Sequence, residues 1–233
     1  MNGQRFLILA DGEFGPLTSK TANSVIRYLP DRIVGVVDRL TAGRTVQDVL
    51  GFGGAIPVFD NMKDGLARKP DAILVGIAPV GGKLPEEWRQ WLLEAIDQGC
   101  TIWSGLHTFL SDDPLLRDRA EQRGVEIHDL RRPPIDIPVA SGKAKAVDPF
   151  VILTVGTDCN VGKMTSQLQI TKLLNQAGHR TRFVATGQTG IMIEGWGIAV
   201  DAVVADFIAG AAERLVLDGS KDADIVLVEG DRK

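Results

Sequence analysis

Short apolar runs alternate with amphipathic stretches along the first half of the chain. The apolar runs, rich in Val and Ile, lie at residues 6–10, 33–37 and 72–77, with two shorter ones at 101–103 and 125–127. Helical spacing of apolar residues occupies the intervals at 18–28, 62–69, 86–98 and 114–123. Strands that are apolar on both faces and alternate with helices predict an α/β fold with a doubly wound parallel sheet.

The composition changes between residues 131 and 149. Prolines stand at positions 133, 134, 138 and 149, and the stretch Ser-Gly-Lys-Ala-Lys lies among them. Proline fixes the backbone and ends regular pairing, so this part of the chain predicts a connection between domains. We therefore expect a first α/β domain over residues 1–135, a linker over 136–149 and a second α/β domain over 150–233.

The second domain opens with an apolar run at 150–155, directly followed by the sequence G-T-D-C-N-V-G-K-M-T. Backbone N–H groups in a glycine-bearing turn and the positive end of the following helix bind phosphate, and a lysine adds a positive charge. This is the layout of a P-loop. Its predicted ligand-binding residues are Gly156, Thr157, Asp158, Cys159, Asn160, Val161, Gly162, Lys163, Met164 and Thr165.

The loop departs from a standard P-loop in two ways. Five residues, where four are usual, separate Gly156 from Gly162, and Met164 stands where Ser or Thr would coordinate magnesium. Thr165 follows one position later, about 100° further around the helix. The pattern therefore favours phosphate binding over magnesium-dependent phosphoryl transfer.

The rest of the second half predicts helices over 163–176 and 200–218 and strands over 182–185 and 224–228. Three strands, accompanied by two helices, form only a narrow sheet with an exposed edge, whereas P-loop domains ordinarily have more strands. We therefore expect the second domain to be incomplete. The exposed edge favours association into a homo-oligomer.

Composition narrows the possible partners. With 44% hydrophobic and 24% charged residues the chain is globular, and its net charge of -4 without a basic block argues against nucleic acid. No apolar run approaches the roughly 20 residues of a membrane span, and the N-terminus lacks a signal-peptide pattern. Cys100 and Cys159 lack metal-ligand spacing. We expect a cytoplasmic protein with a small-molecule substrate and no metal site.

Two features of the first domain leave alternatives open. Asp38 follows the second strand, where dinucleotide-binding folds place an acid against a ribose, but residues 11–16 lack the G-x-G-x-x-G spacing, so nicotinamide binding is not supported. Residues 76–83 form a second glycine-bearing segment after the third strand. This segment is either a ligand-facing loop or an ordinary connection to the next helix.

The loop is similar to that of dethiobiotin synthetases, which also begin with Gly-Thr-Asp and end with Val-Gly-Lys. A longer pattern resembles the bacterial and archaeal family called domain of unknown function 1611. It consists of the loop, A-T-G-Q-T-G-I-M-I at 185–193, G-W-G at 195–197, D-A-V-V-A-D-F at 201–207 and V-E-G at 228–230. The resemblance implies a Rossmann-like N-terminal domain, a P-loop NTPase-like second domain and a C-terminally truncated member.

That family includes D-glutamate N-acetyltransferases, so the resemblance implies transfer of acetyl from acetyl-CoA to D-glutamate in D-amino acid catabolism. The P-loop can hold the phosphates of CoA without a magnesium-binding hydroxyl. Transfer to an amine needs a base and donors for the oxyanion. Among carboxylates near the strand ends, Glu229 and Asp206 are the catalytic candidates, with Asp201 as the other possibility near the second helix.

Gln188, Thr189 and Gly190 follow the second strand of this domain and offer amide and hydroxyl donors to a substrate carboxylate or an oxyanion. A plain turn is the other interpretation of these three residues. Two further functions stay open for the chain. One is an ATP- and magnesium-dependent ligase or NTPase resembling dethiobiotin synthetase, and the other is a nucleotide- or CoA-binding module without catalysis.

Overall fold

The structure, a computed structural model, describes residues 3–79, 84–158 and 161–230. It consists of two compact units, one ending at Leu130 and the other beginning at Arg131. Each unit is an α/β structure built on its own parallel sheet. The α/β class predicted from the alternation of strands and helices is therefore confirmed.

In the described part of the first unit, the sheet has six parallel strands in the order β3-β2-β1-β4-β5-β6. This is the strand order of the Rossmann fold, with its switch point between β1 and β4. The strands are β1 Phe6–Leu9, β2 Ile33–Val37, β3 Val58–Phe59, β4 Ala72–Val75, β5 Thr101–Ser104 and β6 Ile127–Asp129. The helices are α1 Lys20–Tyr28, α2 Val46–Leu50, α3 Met62–Leu66, α4 Glu86–Asp97 and α5 Pro114–Arg123.

Local sequence explains the longer elements of this unit. All four residues of β1 are completely buried, as a continuous apolar run requires of a strand covered on both faces. Helix α5 starts behind the capping side chain of Asp113 and ends at Gly124, which has a φ of +66°. The sequence pattern does not predict β3, whose two residues are too few to show a period, and it does not predict the five-residue helix α2.

The second unit has a three-stranded parallel sheet in the order β7-β9-β8. Its strands are β7 Phe150–Leu153, β8 Thr181–Val184 and β9 Ile225–Val228, and its helices are α6 Lys163–Gln176, α7 Gln188–Glu194 and α8 Ile208–Gly219. Among the described residues, strand β9 lies in the middle of this sheet and the P-loop strand β7 lies at its edge. Three of the side chains at this edge are largely in solvent: Phe150 at 70%, Leu153 at 55% and Val155 at 81% exposure.

The prediction of one helix over 200–218 is wrong in its first part. Residues Val200–Ala202 and Ala205–Phe207 form separate 3₁₀ turns, and α8 begins only at Ile208. Val200 and Val203 are buried in the core of this unit, and Val203 has an extended backbone. Burial of these two β-branched side chains on an irregular path outweighs the local helical pattern.

The segment over which the sequence predicts a linker packs closely against α8. A Cβ on Gly210 would lie 1.7 Å from the carbonyl oxygen of Pro138, so the helix and this segment meet backbone to backbone. Glu213 accepts a hydrogen bond from the N–H of Ser141 at 2.6 Å, and Arg214 pairs with Asp136 at 3.0 Å. Residues 136–141 are thus held to the second unit by α8.

None of the helices in the described residues combines the length and the apolarity needed to cross a membrane. Within the same residues, no three His, Cys, Asp or Glu side chains are grouped so that they could hold a metal ion.

Glu194, at the end of α7, gives the second unit a pH-dependent stability. Burial raises the pKa of its carboxyl group, and the nearby guanidinium of Arg182 offsets only part of this effect. A raised pKa in the folded state means that Glu194 favours folding below its ordinary pKa, and that this contribution is lost as the pH rises through the folded pKa.

We therefore expect Glu194→Gln to raise the melting temperature at pH 7, because the glutamine is neutral and has no buried charge to accommodate. The gain should shrink on acidification and vanish below the ordinary pKa of glutamate, about 4.3. Thermal unfolding of both proteins between pH 4 and pH 8 measures this difference. A gain of equal size at every pH would show that burial of the charge is not its cause.

Candidate functional site

The candidate site lies at the carboxyl ends of the strands in the second unit, where β7 leads through the P-loop into α6. Gly162 immediately precedes α6 and has a φ of +97°, which favours glycine. The first N–H groups of an α-helix have no acceptors within the helix, and Gly162 supplies no capping side chain. The start of this 14-residue helix therefore presents N–H groups and the positive end of the helix dipole to an anion.

The side chain of Lys163 lies across the loop. A Cβ on Gly156 would lie 3.1 Å from Cδ of Lys163 and 2.8 Å from Val161, so glycine leaves the space that the lysine stem occupies. The Nζ atom donates a hydrogen bond to the carbonyl oxygen of Asp158 at 2.7 Å. An ammonium group has three donors, so this contact fixes the charge over the loop and leaves donors for a phosphate.

Met164 and Thr165, the two residues after Lys163, point in different directions. The side chain of Met164 is buried with 8% exposure, whereas Thr165 is exposed. The position that coordinates magnesium in a standard P-loop is thus used here for packing. Cys159 and Asn160, also predicted to bind the ligand, lie outside the described residues.

Glu229 follows the central strand β9 and lies beside the start of α7. Its Oε2 is 3.4 Å from the N–H of Thr186 and 3.0 Å from the point where a Cβ of Gly190 would be. The hydroxyl of Thr186 donates to the backbone carbonyl of Glu229 at 3.0 Å. The structure therefore brings Glu229 together with the segment predicted to bind substrate.

Gly230, the residue after Glu229, packs against the end of β7, the strand that precedes the P-loop. A Cβ at this position would lie 1.9 Å from the carbonyl oxygen of Thr154, just after β7. Only glycine lets the chain after β9 approach the end of β7 so closely. The V-E-G motif is thus explained by one residue that carries a carboxylate and one that permits close packing.

Gln188, Thr189 and Gly190 are not a plain turn, because they form the first turn of α7. Glycines at 187 and 195 stand on either side of this helix, and their turn-like character hides it in the sequence pattern. Thr189 is buried with 5% exposure, and Gly190 packs against Phe183 and Ala185. Of these three residues, Gln188 is the most exposed.

The two aspartates near the second predicted helix have different surroundings. Asp201 forms an ion pair with Arg131, whose side chain is only 8% exposed. Asp206 is exposed in the turn Ala205–Phe207, and no contact within the described residues joins it to Glu229 or to the P-loop. Asp201 is therefore engaged in packing the unit, and Glu229 is the carboxylate that the fold positions beside the P-loop strand.

Arg131 and Gln167 are two polar residues of this region that the sequence patterns did not single out. Gln167 is completely buried on α6, and its Nε2 donates to the carbonyl of Val228 at 3.1 Å, linking the P-loop helix to β9. It follows Lys163 by one helical turn, so a polar residue at that spacing was the available signal. Arg131 lies in the proline-rich stretch and belongs to no sequence motif that predicts a binding role.

At the corresponding edge of the first unit, the described polar residues bind other groups of the protein. Asp38 is completely buried, and its oxygens accept from the N–H of Gly12 at 2.7 Å and the N–H of Thr41 at 2.9 Å. The idea that Asp38 meets a ribose is therefore wrong, because it holds two loops together. Gly76, which opens the second glycine-bearing segment, is buried against Ile8 and Ala22, and residues 80–83 of that segment lie outside the described residues.

Asp11 and Arg39 form a bidentate ion pair at the same edge. The Nε–Oδ1 distance is 3.0 Å and the Nη2–Oδ2 distance is 2.6 Å. Burial alone would raise the pKa of Asp11, but hydrogen bonds and charge from Arg39 outweigh it and lower the pKa. Arg39 also pairs with Glu87 at 3.0 Å. The positive charge of Arg39 is therefore neutralised by two carboxylates, Asp11 and Glu87, and this disfavours binding of a phosphate by Arg39.

A Rossmann-like unit followed by a P-loop unit defines the class of this chain, and comparison with known proteins gives the family. Residues 39–133 match the family described as Domain of unknown function (DUF1611_N) Rossmann-like domain. Residues 138–232 match the companion description, Domain of unknown function (DUF1611_C) P-loop domain. The two matches together span most of the chain. The chain belongs to this family, as its motifs led us to expect.

The chain is 35% identical to a D-glutamate N-acetyltransferase of Tritonibacter scottomollicae over 207 residues, or 88% of this chain and 59% of that protein. It is 40% identical over 148 residues to a D-glutamate N-acetyltransferase of Pseudoalteromonas sp, or 64% of this chain and 44% of that protein. The crystal structure of a DUF1611 family protein from Anabaena variabilis superimposes with a TM-score of 0.91 at 38% identity. That match covers 98% of this chain and 66% of the other.

Proposed function

We propose that this protein is an N-acetyltransferase that moves acetyl from acetyl-CoA to the amino group of D-glutamate. The observation that supports this most strongly is the likeness to two proteins named D-glutamate N-acetyltransferase, at 35% and 40% identity. The first match takes in 88% of the chain, so it includes residues of both units. The chain spans 59% of that relative's length, and the activity proposed is that of the whole protein.

The P-loop is the proposed site for the phosphates of CoA. The start of α6 offers N–H groups, Lys163 contributes a charge that the loop itself holds in place, and Met164 is turned into the core. Phosphate groups of CoA need anion-binding donors and no transfer of the phosphoryl group. The site therefore suits a phosphate-bearing ligand that reacts elsewhere in its structure.

Glu229 is the proposed base for the reaction. The neutral amine attacks the carbonyl carbon of the thioester, the C–N bond forms, and the C–S bond breaks to release the CoA thiolate. The amine loses a proton to Glu229, and Glu229 passes this proton to the thiolate. Gln188, Thr189 and Gly190, next to Glu229, are the proposed donors to the substrate and to the oxyanion.

The function is tested by thiol release from acetyl-CoA in the presence of D-glutamate, on the whole protein. We expect release with D-glutamate well above that with L-glutamate or without an amino acid, and N-acetyl-D-glutamate as the product by mass spectrometry. Release at the level of the two controls, together with no CoA binding by calorimetry, would exclude the proposal.

An ATP-dependent ligase is a second candidate because Thr165 is exposed at the start of α6 and carries a hydroxyl. Buried Met164 argues against it, since Thr165 lies about 100° from the usual metal-binding position on the helix. ATP binding that is lost on chelation of magnesium would support this candidate. Tight binding of CoA or ATP without any product would instead favour a binding module.

A further inference from the structure

Arg131 is the centre of a polar cluster next to the start of α7. Its Nη1 donates to Oε1 of Gln188 at 3.2 Å, and its Nη2 pairs with the carboxylate of Asp201. The arginine side chain is only 8% exposed, whereas the Asp201 side chain is 31% exposed and Gln188 is partly exposed. The proposed function has no role for Arg131, and a buried arginine next to a candidate substrate-binding residue needs an explanation.

The contact with Arg131 determines which end of the Gln188 amide faces outward. A guanidinium group only donates hydrogen bonds, so the amide must turn its oxygen toward Arg131 and its two N–H groups away from it. The two ends of a glutamine amide have nearly the same shape, and the amide can flip when no neighbour distinguishes them. Arg131 removes this freedom, and no residue in the described ranges accepts a hydrogen bond from Nε2 of Gln188.

Asp201 makes the arrangement electrically neutral. Its carboxylate balances the charge of Arg131, so the guanidinium is already paired and is poorly suited to capture an anion directly. The group left for a ligand is the neutral NH₂ end of Gln188, which is partly exposed. Donors without an acceptor of their own match an acceptor such as a carboxylate.

Glu229 and Gln188 have complementary chemistry around the same short segment. Glu229 contacts Thr186 and lies against Gly190, while Gln188 lies between these two residues in the chain. A carboxylate matches an amino group, and an amide NH₂ matches a carboxylate. An amino acid carries both of these groups within a few bonds of each other.

We propose that Arg131 is a positioning residue, which orients Gln188 as a hydrogen-bond donor to a carboxylate of the amino-acid substrate. The identity of that amino acid as D-glutamate rests on the proposed function. The orientation of the amide and its preference for an acceptor rest on the contacts of Arg131 alone.

The decisive variant is Gln188→Glu, tested in the whole protein. The new carboxylate keeps an acceptor for Arg131, so we expect the melting temperature to stay the same or rise. Where the amide donated to the substrate carboxylate, two carboxylates would now meet. We expect the Kd for D-glutamate, measured by calorimetry, to increase about 10- to 100-fold, as for loss of a hydrogen bond to a charged group. CoA binding should not change.

Gln176→Glu, on an exposed part of α6, adds the same charge away from the cluster and should leave the Kd unchanged. Two further ligands identify the carboxylate. D-glutamine lacks the side-chain carboxylate and D-isoglutamine lacks the α-carboxylate, and the effect of Gln188→Glu should disappear with one of them. An effect that persists equally with both would overturn the assignment.

The outcomes separate this inference from the proposed function. If the wild-type protein releases no thiol but binds D-glutamate, and Gln188→Glu weakens that binding, the transferase proposal fails and the role of the Gln188 amide as donor to the amino acid stands. An unchanged Kd in a folded Gln188→Glu protein overturns the positioning role even if the enzyme is active. A wild-type protein that does not bind D-glutamate overturns both.

Discussion

Lys163→Ala is expected to weaken the binding of CoA by about 10- to 100-fold, because charge-assisted hydrogen bonds contribute roughly 1.5–3 kcal/mol. The lysine stem lies over Gly156 and its Nζ is held by the carbonyl of Asp158, so the charge stands over the loop before a ligand arrives. Calorimetric titration of CoA into the wild-type and variant proteins measures the change. The melting temperature without ligand should stay nearly the same, since this side chain is only partly buried.

Lys172→Ala is the matched control for charge, because Lys172 is exposed further along the same helix. Its removal should leave the Kd of CoA within about twofold, since screening weakens charges beyond a Debye length of about 8 Å in physiological salt. Pantetheine, the part of CoA without phosphates, provides a control on the ligand. A Lys163→Ala variant that binds CoA as tightly as the wild type would remove Lys163 from the phosphate site.

Gly210→Ala is expected to destabilise the protein by about 2–4 kcal/mol, in the range of severe overpacking. The sign of this change in the free energy of unfolding is informative, because alanine in place of glycine inside a helix normally stabilises the helix by about 1 kcal/mol. Here the new Cβ would lie 1.7 Å from the carbonyl oxygen of Pro138, and neither backbone can yield without separating α8 from the segment around that proline. Denaturant unfolding of both proteins measures the change in free energy.

Ala209→Ser tests the same turn of α8 on its exposed side. This change should cost about 0.5 kcal/mol or less, as expected from helix propensity alone. A Gly210→Ala protein that is as stable as the wild type would show that residues 136–141 are not packed against α8. In that case the segment would behave as the free linker that its prolines suggest.

Much of the fold is readable from the sequence because the elements are long and their burial is regular. The strand Ile33–Val37 and the helices Pro114–Arg123 and Lys163–Gln176 have the bounds that the pattern predicts. Each is defined by local signals: a continuous apolar run, a capping aspartate followed by proline, or a glycine before a lysine. Such signals act within a few residues and do not depend on the rest of the molecule.

The elements that the sequence pattern mispredicts have a common cause, which is packing between distant parts of the chain. Residues 200–207 have a helical pattern but leave the helix, because Val200 and Val203 find a place in the core on another path. Helix α7 has glycines at both ends, so it resembles a turn until Gly190 is seen against Phe183 and Glu229. In each case contacts with residues far away in sequence decide the local structure.

The sequence by itself determined the α/β class and the P-loop, because these depend on spacing along the chain, and the resemblance of its motifs identified the family. Only the tertiary structure decided which polar residues share a site. In the structure, Asp38 forms hydrogen bonds that connect two loops, and Asp201 forms an ion pair with Arg131. Glu229 lies beside the start of α7. The physical reason is that a side chain acts through its neighbours in space, and a parallel sheet brings together strand ends that are separated by tens of residues in the chain.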